Sequence, residues 1–307
     1  MSFKKKGLLS LSVVLLCSSI MSSIAFGAKS DEPNEFIIKP GNMKIQKDPA
    51  ASKEEIESIV KKLQEDFNKK AKNYKRAEEV QRSIEDINPN SIAAATGYDE
   101  NKAKLRQANY IESVLDTNEG MTGYQIFLVG VLHANAARDE ALSEYPNDVM
   151  TRDAYRHYTW NFRATKDSAV GKTKTRTATI NHEWGVLLLN FALNYYDQQY
   201  NSYINSGKSD YVAANQAFSD VTLWMPELKM QLISIFKSNY SKFKGFFQVS
   251  NIMDLTNNCW GRSGPTDHSN STPKQAFALD KNNLILSESS VYDYQYNIVW
   301  QNQWYTY

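Results

Sequence analysis

The chain has 307 residues, with 35 lysines and arginines against 34 acidic residues and a net charge of +1. That balance lacks the basic footprint that nucleic-acid binding requires, so nucleic acid is not an expected partner. The two cysteines, Cys17 and Cys259, fall on either side of a predicted cleavage point, so the mature chain has no internal disulfide and must rely on a hydrophobic core.

The first residues read as an export signal. Lys4, Lys5 and Lys6 precede an apolar run over residues 8–16, then a serine-rich stretch and Ala25-Phe26-Gly27. Cleavage is expected after Gly27 or Ala28, and Leu16 before Cys17 is larger than a lipoprotein signal normally allows. Loss of residues 1–27 removes three lysines and leaves 32 basic against 34 acidic residues, a net charge of −2. No other stretch is long and apolar enough to span a bilayer, so the expectation is a secreted, extracellular protein with no stable membrane insertion after cleavage. Its wealth of Asn, Lys and Tyr and its few glycines resemble a bacterial secreted protein.

Residues 28–51, with Pro33 and Pro40, read as an extended polar leader. Residues 52–149 form a predicted N-terminal helical region. Ser52 and Glu55 make a capping box, and Ile56, Ile59, Val60, Leu63 and Phe67 recur at helical spacing, which leaves Lys61, Lys62, Lys69 and Lys70 as a solvated face. Helical signal resumes over residues 102–115 and again over 123–142, where Phe127, Leu128, Val131 and Leu132 share a side. Pro89 and the Pro146-Asn147-Asp148 turn punctuate these elements.

Residues 150–262 form a predicted helical domain that carries most of the rare side chains. Residues 263–307 read as a loop and β-rich tail: Ser263-Gly264-Pro265 opens a loop through Pro273, "DKNN" over 280–283 could turn a hairpin, and "YDYQYNIVWQNQWYTY" is rich in aromatic and β-branched residues. The predicted fold class is therefore mainly α, a helical domain with a small antiparallel β C-terminal appendage. Tyr292, Tyr294, Tyr296, Trp300, Trp304 and Tyr305 would pack that sheet or present a stacking surface to a wall polymer.

The segment "DAYRHYTWN" stands out. Asp153, Arg156, His157, Trp160 and Asn161 lie at offsets 0, 3, 4, 7 and 8, within an arc of roughly 140° on a helix. Tyr155, Thr159 and Phe162 occupy the other side, which predicts a helix buried all round with a polar stripe needing partners. "TATINHEWG" offers Thr179, His182 and Glu183 on one face. "NIMDLTNNCWGR" offers Asp254, Asn257 and Asn258, with Gly261 as an expected C-terminal stop. The three faces are expected to converge, with His157, His182 and Asp254 in one polar centre.

The order Arg156-His157-x-x-Trp160-Asn161, His182-Glu183, Met253-Asp254-Leu255-x-Asn257-Asn258-x-x-Gly261-Arg262 resembles a bacterial domain family of unknown function. That family is found as C-terminal domains of wall-associated and polymorphic-toxin-like secreted proteins. The likeness covers residues 150–262 and implies a helical domain with a shared polar centre, without supplying a reaction.

Three readings of the constellation stay open. In a catalytic site, His157 and His182 would work with Glu183 and Asp254 as base and orienting groups. Asp153, Arg156, Trp160, Asn161, Asn257, Asn258 and Arg262 would then contact substrate. In a metal site, the two histidines with Asp254 and Glu183 would hold an ion, although Val186 stands where an HExxH motif needs its second histidine. In the third, the groups form a buried network that only fixes helix packing. The cofactor is unspecified by the sequence. The expected function is hydrolysis of an ester, phosphoester or envelope-derived substrate, with non-catalytic binding of a cell-envelope component as the alternative. His133, His268 and Cys259 read as bystanders, with His268 exposed in its loop.

Overall fold

The computed structural model describes Glu35 and residues 40–73, 97–107 and 109–306. The expected signal over residues 1–27, the first part of the leader and Pro89 lie outside these residues. No strand occurs among the described residues, and no helix there is long and apolar enough to cross a membrane.

The elements follow in order as α1 (Lys53–Asn73), α2 (Tyr98–Leu105), α3 (Tyr110–Asn118) and α4 (Gly123–Phe127). A π-helical turn (Leu128–His133) then leads into α5 (Ala134–Glu144). They continue as α6 (Val149–Lys166), α7 (Gly171–Asn205), α8 (Asp210–Ser238), α9 (Tyr240–Phe246), α10 (Val249–Asp267), α11 (Pro273–Asp280) and α12 (Asp293–Gln301). In α1 the expected stripe does its work: Ile56 and Val60 are buried, with Ile59, Leu63 and Phe67 packed against the same core. Ser52 Oγ accepts from the Glu55 amide at 3.2 Å, as the capping pattern requires.

The long helix α7 organises the rest. Its 35 residues span about 52 Å, and α3, α6, α8 and α10 all pack along it. Trp184 at its middle stacks on Phe236 and meets Phe246 at a tilt and Phe247 edge-on in the main core.

Helices α6 and α10 interlock more closely than any side chain between them would permit. A Cβ on Gly261 would sit 2.4 Å from the Tyr158 carbonyl oxygen. Gly261 is therefore a contact glycine rather than the expected helix stop, and α10 runs through it, past Ser263 and Pro265, to Asp267.

The tail corrects the expected β-appendage. Residues 273–280 and 293–301 are helices, and "DKNN" becomes a 3-10 turn that continues α11 over Lys281–Asn283. Thr272 and Gln275 form a capping box, and Gln275 accepts from the Thr272 amide at 3.0 Å. In α12 the buried residues are Tyr296, Asn297 and Val299, a helical stripe that the β-branched and aromatic composition obscured. Nor is the tail an appendage. Trp184 Nε1 donates to the Tyr305 carbonyl at 2.9 Å and Trp300 Nε1 to the Phe236 carbonyl at 2.7 Å. Trp304 and Tyr305 lie in the main core.

Candidate functional site

Asp153, Arg156 and His157 come from α6, His182 and Glu183 from α7, and Asp254 and Asn258 from α10. The close approach at Gly261 brings α6 and α10 together, and Gly185 does the same for α7 and α3. A Cβ on Gly185 would lie 3.2 Å from the Glu112 amide nitrogen. That contact sets Glu112 of α3 beside His182, where Oε2 meets Nδ1 at 3.1 Å. The His157 and His182 rings lie 6.2 Å apart, and Trp160 stands edge-on to His182 at 5.3 Å. His157 is fully buried, whereas the side chains of Asp153, Arg156 and His182 are 33%, 38% and 28% exposed. The centre thus has a sealed floor and an open rim.

The floor has a fixed direction. Arg262 can only donate, so Nη1 at 3.2 Å from Asn161 Oδ1 forces the Asn161 amide nitrogen to face away. That nitrogen donates to Asn258 Oδ1 at 2.6 Å. The same Asn258 oxygen can only accept, so His157 Nδ1, 3.0 Å away, must be the donor. The proton of neutral His157 is therefore on Nδ1, and Nε2 presents a lone pair to the rim. Arg156 Nη2 donates to Nε2 and to Asp153 Oδ1, each at 2.7 Å. Asp254 Oδ1 lies 3.3 Å from Nε2 and Asp153 Oδ1 4.0 Å. Two acceptors facing each other at 3.3 Å require a proton or a cation between them. Asp254 Oδ1 and Glu183 Oε1 are both buried without a hydrogen-bond partner.

Electrostatics separates the two histidines. Burial, with the charges of Arg156 and His182, holds His157 well below the usual imidazole range, so it is neutral. Burial also opposes charge on His182, but the Glu112 carboxylate outweighs it and pushes the imidazole up to about 9. Burial raises Asp254 well above the carboxylate range, reinforced by Glu183 and Asp153. Glu183 is also raised, again by burial first, with His182 and the Asn251 hydrogen bond at 3.1 Å opposing. At neutral pH the centre holds a neutral imidazole whose Nε2 accepts from Arg156, a cationic imidazole and a half-exposed guanidinium.

Comparison with protein families, characterised proteins and solved structures finds no match to this chain. The site therefore rests on its own geometry.

Several expected contact residues have other work. Asn257 pairs both amide atoms with the backbone of Ile285, at 2.9 and 3.0 Å, and does not join the centre. Trp160 Nε1 donates to the Val129 carbonyl at 2.8 Å, inside the π-helical turn, where the same carbonyl also accepts from the Ala134 amide. Arg262 is fully buried, forked onto Glu35 and bonded to Thr179 Oγ1 at 3.0 Å, so it acts from below rather than on a ligand. The Cys259 thiol is pushed well up by burial and by Glu35, which removes it as a nucleophile. His268 is not an exposed loop residue: it ends α10 and meets Asp280 at 3.0 Å.

Residues the sequence reading passed over complete the surroundings. Glu112, Asp116 and Glu119 line one side of α3. Asp116 and Glu119 accept from Asn181 Nδ2 at 2.8 and 3.2 Å, and Lys229 of α8 donates to Glu119 at 2.5 Å and to Asn181 Oδ1. A lysine within apolar "WMPELKMQLISIF", and carboxylates at spacings of four and three beside buried Ile111 and Leu115, were the available signals. Glu35 gave none.

Proposed function

We propose that this chain is a hydrolase of ester or phosphoester bonds, with His157 as the group that accepts a proton from the attacking water. The observation that carries the proposal is the His157 imidazole, held neutral, with Nδ1–H locked by Asn258 and Nε2 turned toward the rim. Around that lone pair stand groups suited to a developing negative charge: Arg156, 38% exposed, and His182, cationic below about pH 9. Asp153 orients Arg156 through the 2.7 Å bond. Export by residues 1–27 and an envelope-derived substrate belong to the same proposal, as does the likeness to wall-associated and toxin-like domains.

A second reading has its own support. The chain of bonds from Arg262 through Asn161 and Asn258 to His157 is sealed from solvent, as a network that only fixes helix packing would be. In that case the protein is a non-catalytic extracellular or wall-binding protein. The deciding experiment screens the purified full chain on ester, phosphoester and peptidoglycan substrates, alongside His157→Ala and His182→Ala. The hydrolase proposal expects turnover that His157→Ala abolishes while the protein stays folded. No turnover on any of the three, with His157→Ala lowering the melting temperature sharply, would favour the packing network.

A further inference from the structure

Asp153 and His157 lie one helical turn apart on α6, and Asp254 reaches them from α10. One donor atom from each, two carboxylate oxygens and an imidazole nitrogen, lies within 4.8 Å of the others. Three further features single this cluster out from an ordinary acidic patch. The His157 tautomer is fixed with its lone pair on Nε2, and the outer hydrogen bond that fixes it, to Asn258 Oδ1, is the kind that orients a metal-ligating histidine. Asp254 Oδ1 is buried, lacks a hydrogen-bond partner and faces that lone pair at 3.3 Å. Glu183, 2% exposed, adds another buried carboxylate oxygen without a hydrogen-bond partner.

We propose that Asp153, His157 and Asp254 bind one divalent first-row transition ion, such as Zn2+ or Mn2+. One imidazole and two carboxylates suit such an ion, and three protein ligands leave positions for water and substrate. This donor set differs from the one the sequence suggested: His182 is engaged by Glu112, and Glu183, held through Oε2 by Asn251, is outside the group of mutually close donor atoms. Arg156 is the ion's competitor, because its Nη2 donates to two of the three donor atoms. Ion binding displaces the guanidinium from Nε2 toward the rim. The inference rests on the hydrolase proposal but changes the part His157 plays: with Nε2 on the ion, the imidazole would hold the ion, and the ion would activate the water that His157 would otherwise deprotonate; binding itself can be tested without turnover.

The test is calorimetric titration of the chelator-treated full chain with Zn2+ and separately with Mn2+, together with thermal melts. The expected result is one ion per chain and a raised melting temperature. Asp153→Asn and Asp254→Asn, which keep side-chain size, should each weaken binding about tenfold or more while circular dichroism stays helical. Arg156→Met should tighten binding, an effect that general loss of structure would not produce. Unchanged affinity in both asparagine variants, or no saturable uptake of either ion by folded protein, overturns the site. Turnover that survives chelation but is lost in His157→Ala would overturn the metal while leaving the hydrolase proposal standing.

Discussion

Arg262 stands three hydrogen bonds away from His157, yet the guanidinium decides which imidazole nitrogen carries the proton. The control passes through two amides, Asn161 and Asn258, each of which can point only one way once an obligate donor stands at the start. Asn258→Asp keeps the accepting oxygen and should leave Nδ1 protonated, as read from the nitrogen-15 shifts of the ring. Asn258→Leu removes the acceptor from two buried donors and should cost about 2–4 kcal/mol with loss of the single tautomer. A wild-type His157 protonated on Nε2 would refute the assignment.

His182 and Glu112 make stability depend on alkaline pH. The folded-state value of His182 is raised to about 9 from 6.5. Its contribution is therefore complete below about pH 6.5 and is lost as pH rises through 9. The expected loss is about 2–3 kcal/mol. Denaturant melts from pH 6 to 10 should show this decline, and His182→Gln should flatten it.

Asp220 works in the opposite direction from a paired carboxylate. Burial raises it to about 6 from 3.8, against the opposing hydrogen bond from Tyr203, whose hydroxyl donates to Oδ2 at 2.7 Å. Holding its proton favours the folded state, so its contribution is present below about pH 3.8 and lost as pH rises through 6. Asp220→Asn should therefore raise stability by about 1–2 kcal/mol at pH 8, allowing for partial exposure, and change little at pH 4.

The C-terminal helix should be indispensable. A chain ending at Ser290 loses Tyr296, Val299, Trp304 and Tyr305 from the main core and the carbonyl that accepts from Trp184. Cooperative thermal unfolding should disappear. Trp304→Ala alone should cost about 3–5 kcal/mol, measurable by urea titration.

What could be read in advance was whatever repeats with a helical period. The face of Asp153, Arg156, His157, Trp160 and Asn161 was visible because burial of Tyr155, Thr159 and Phe162 on the other side follows from their spacing alone. The meeting of that face with His182 and Asp254 followed from the cost of burying polar groups unpaired. Which groups would pair was less visible. Asn257 and Asn258 are adjacent and chemically identical, yet one bonds Ile285 and the other His157, a distinction made only by the tertiary path of the chain. The tail misled because Tyr, Trp, Val and Ile favour strands on average, while packing on α10 selects a helix. Glu35 sits in a polar segment without period, and its role depends on two arginines more than a hundred positions away.

That separation governs when the molecule can be finished. Glu35 takes the forked guanidinium of Arg262 across 227 positions, and its carbonyl accepts from Trp304 across 269. Arg176, which shares Glu35, also donates to the Thr306 carbonyl at 3.2 Å. Chain synthesis delivers the carboxylate well before Arg176, and Arg262 and Trp304 later still. Until Arg262 is seated on Glu35, the relay beneath His157 lacks that anchor. Pairings of such long separation carry a loop-closure cost before they repay it, so seating Arg262 on Glu35 beneath the relay is expected among the later steps of folding.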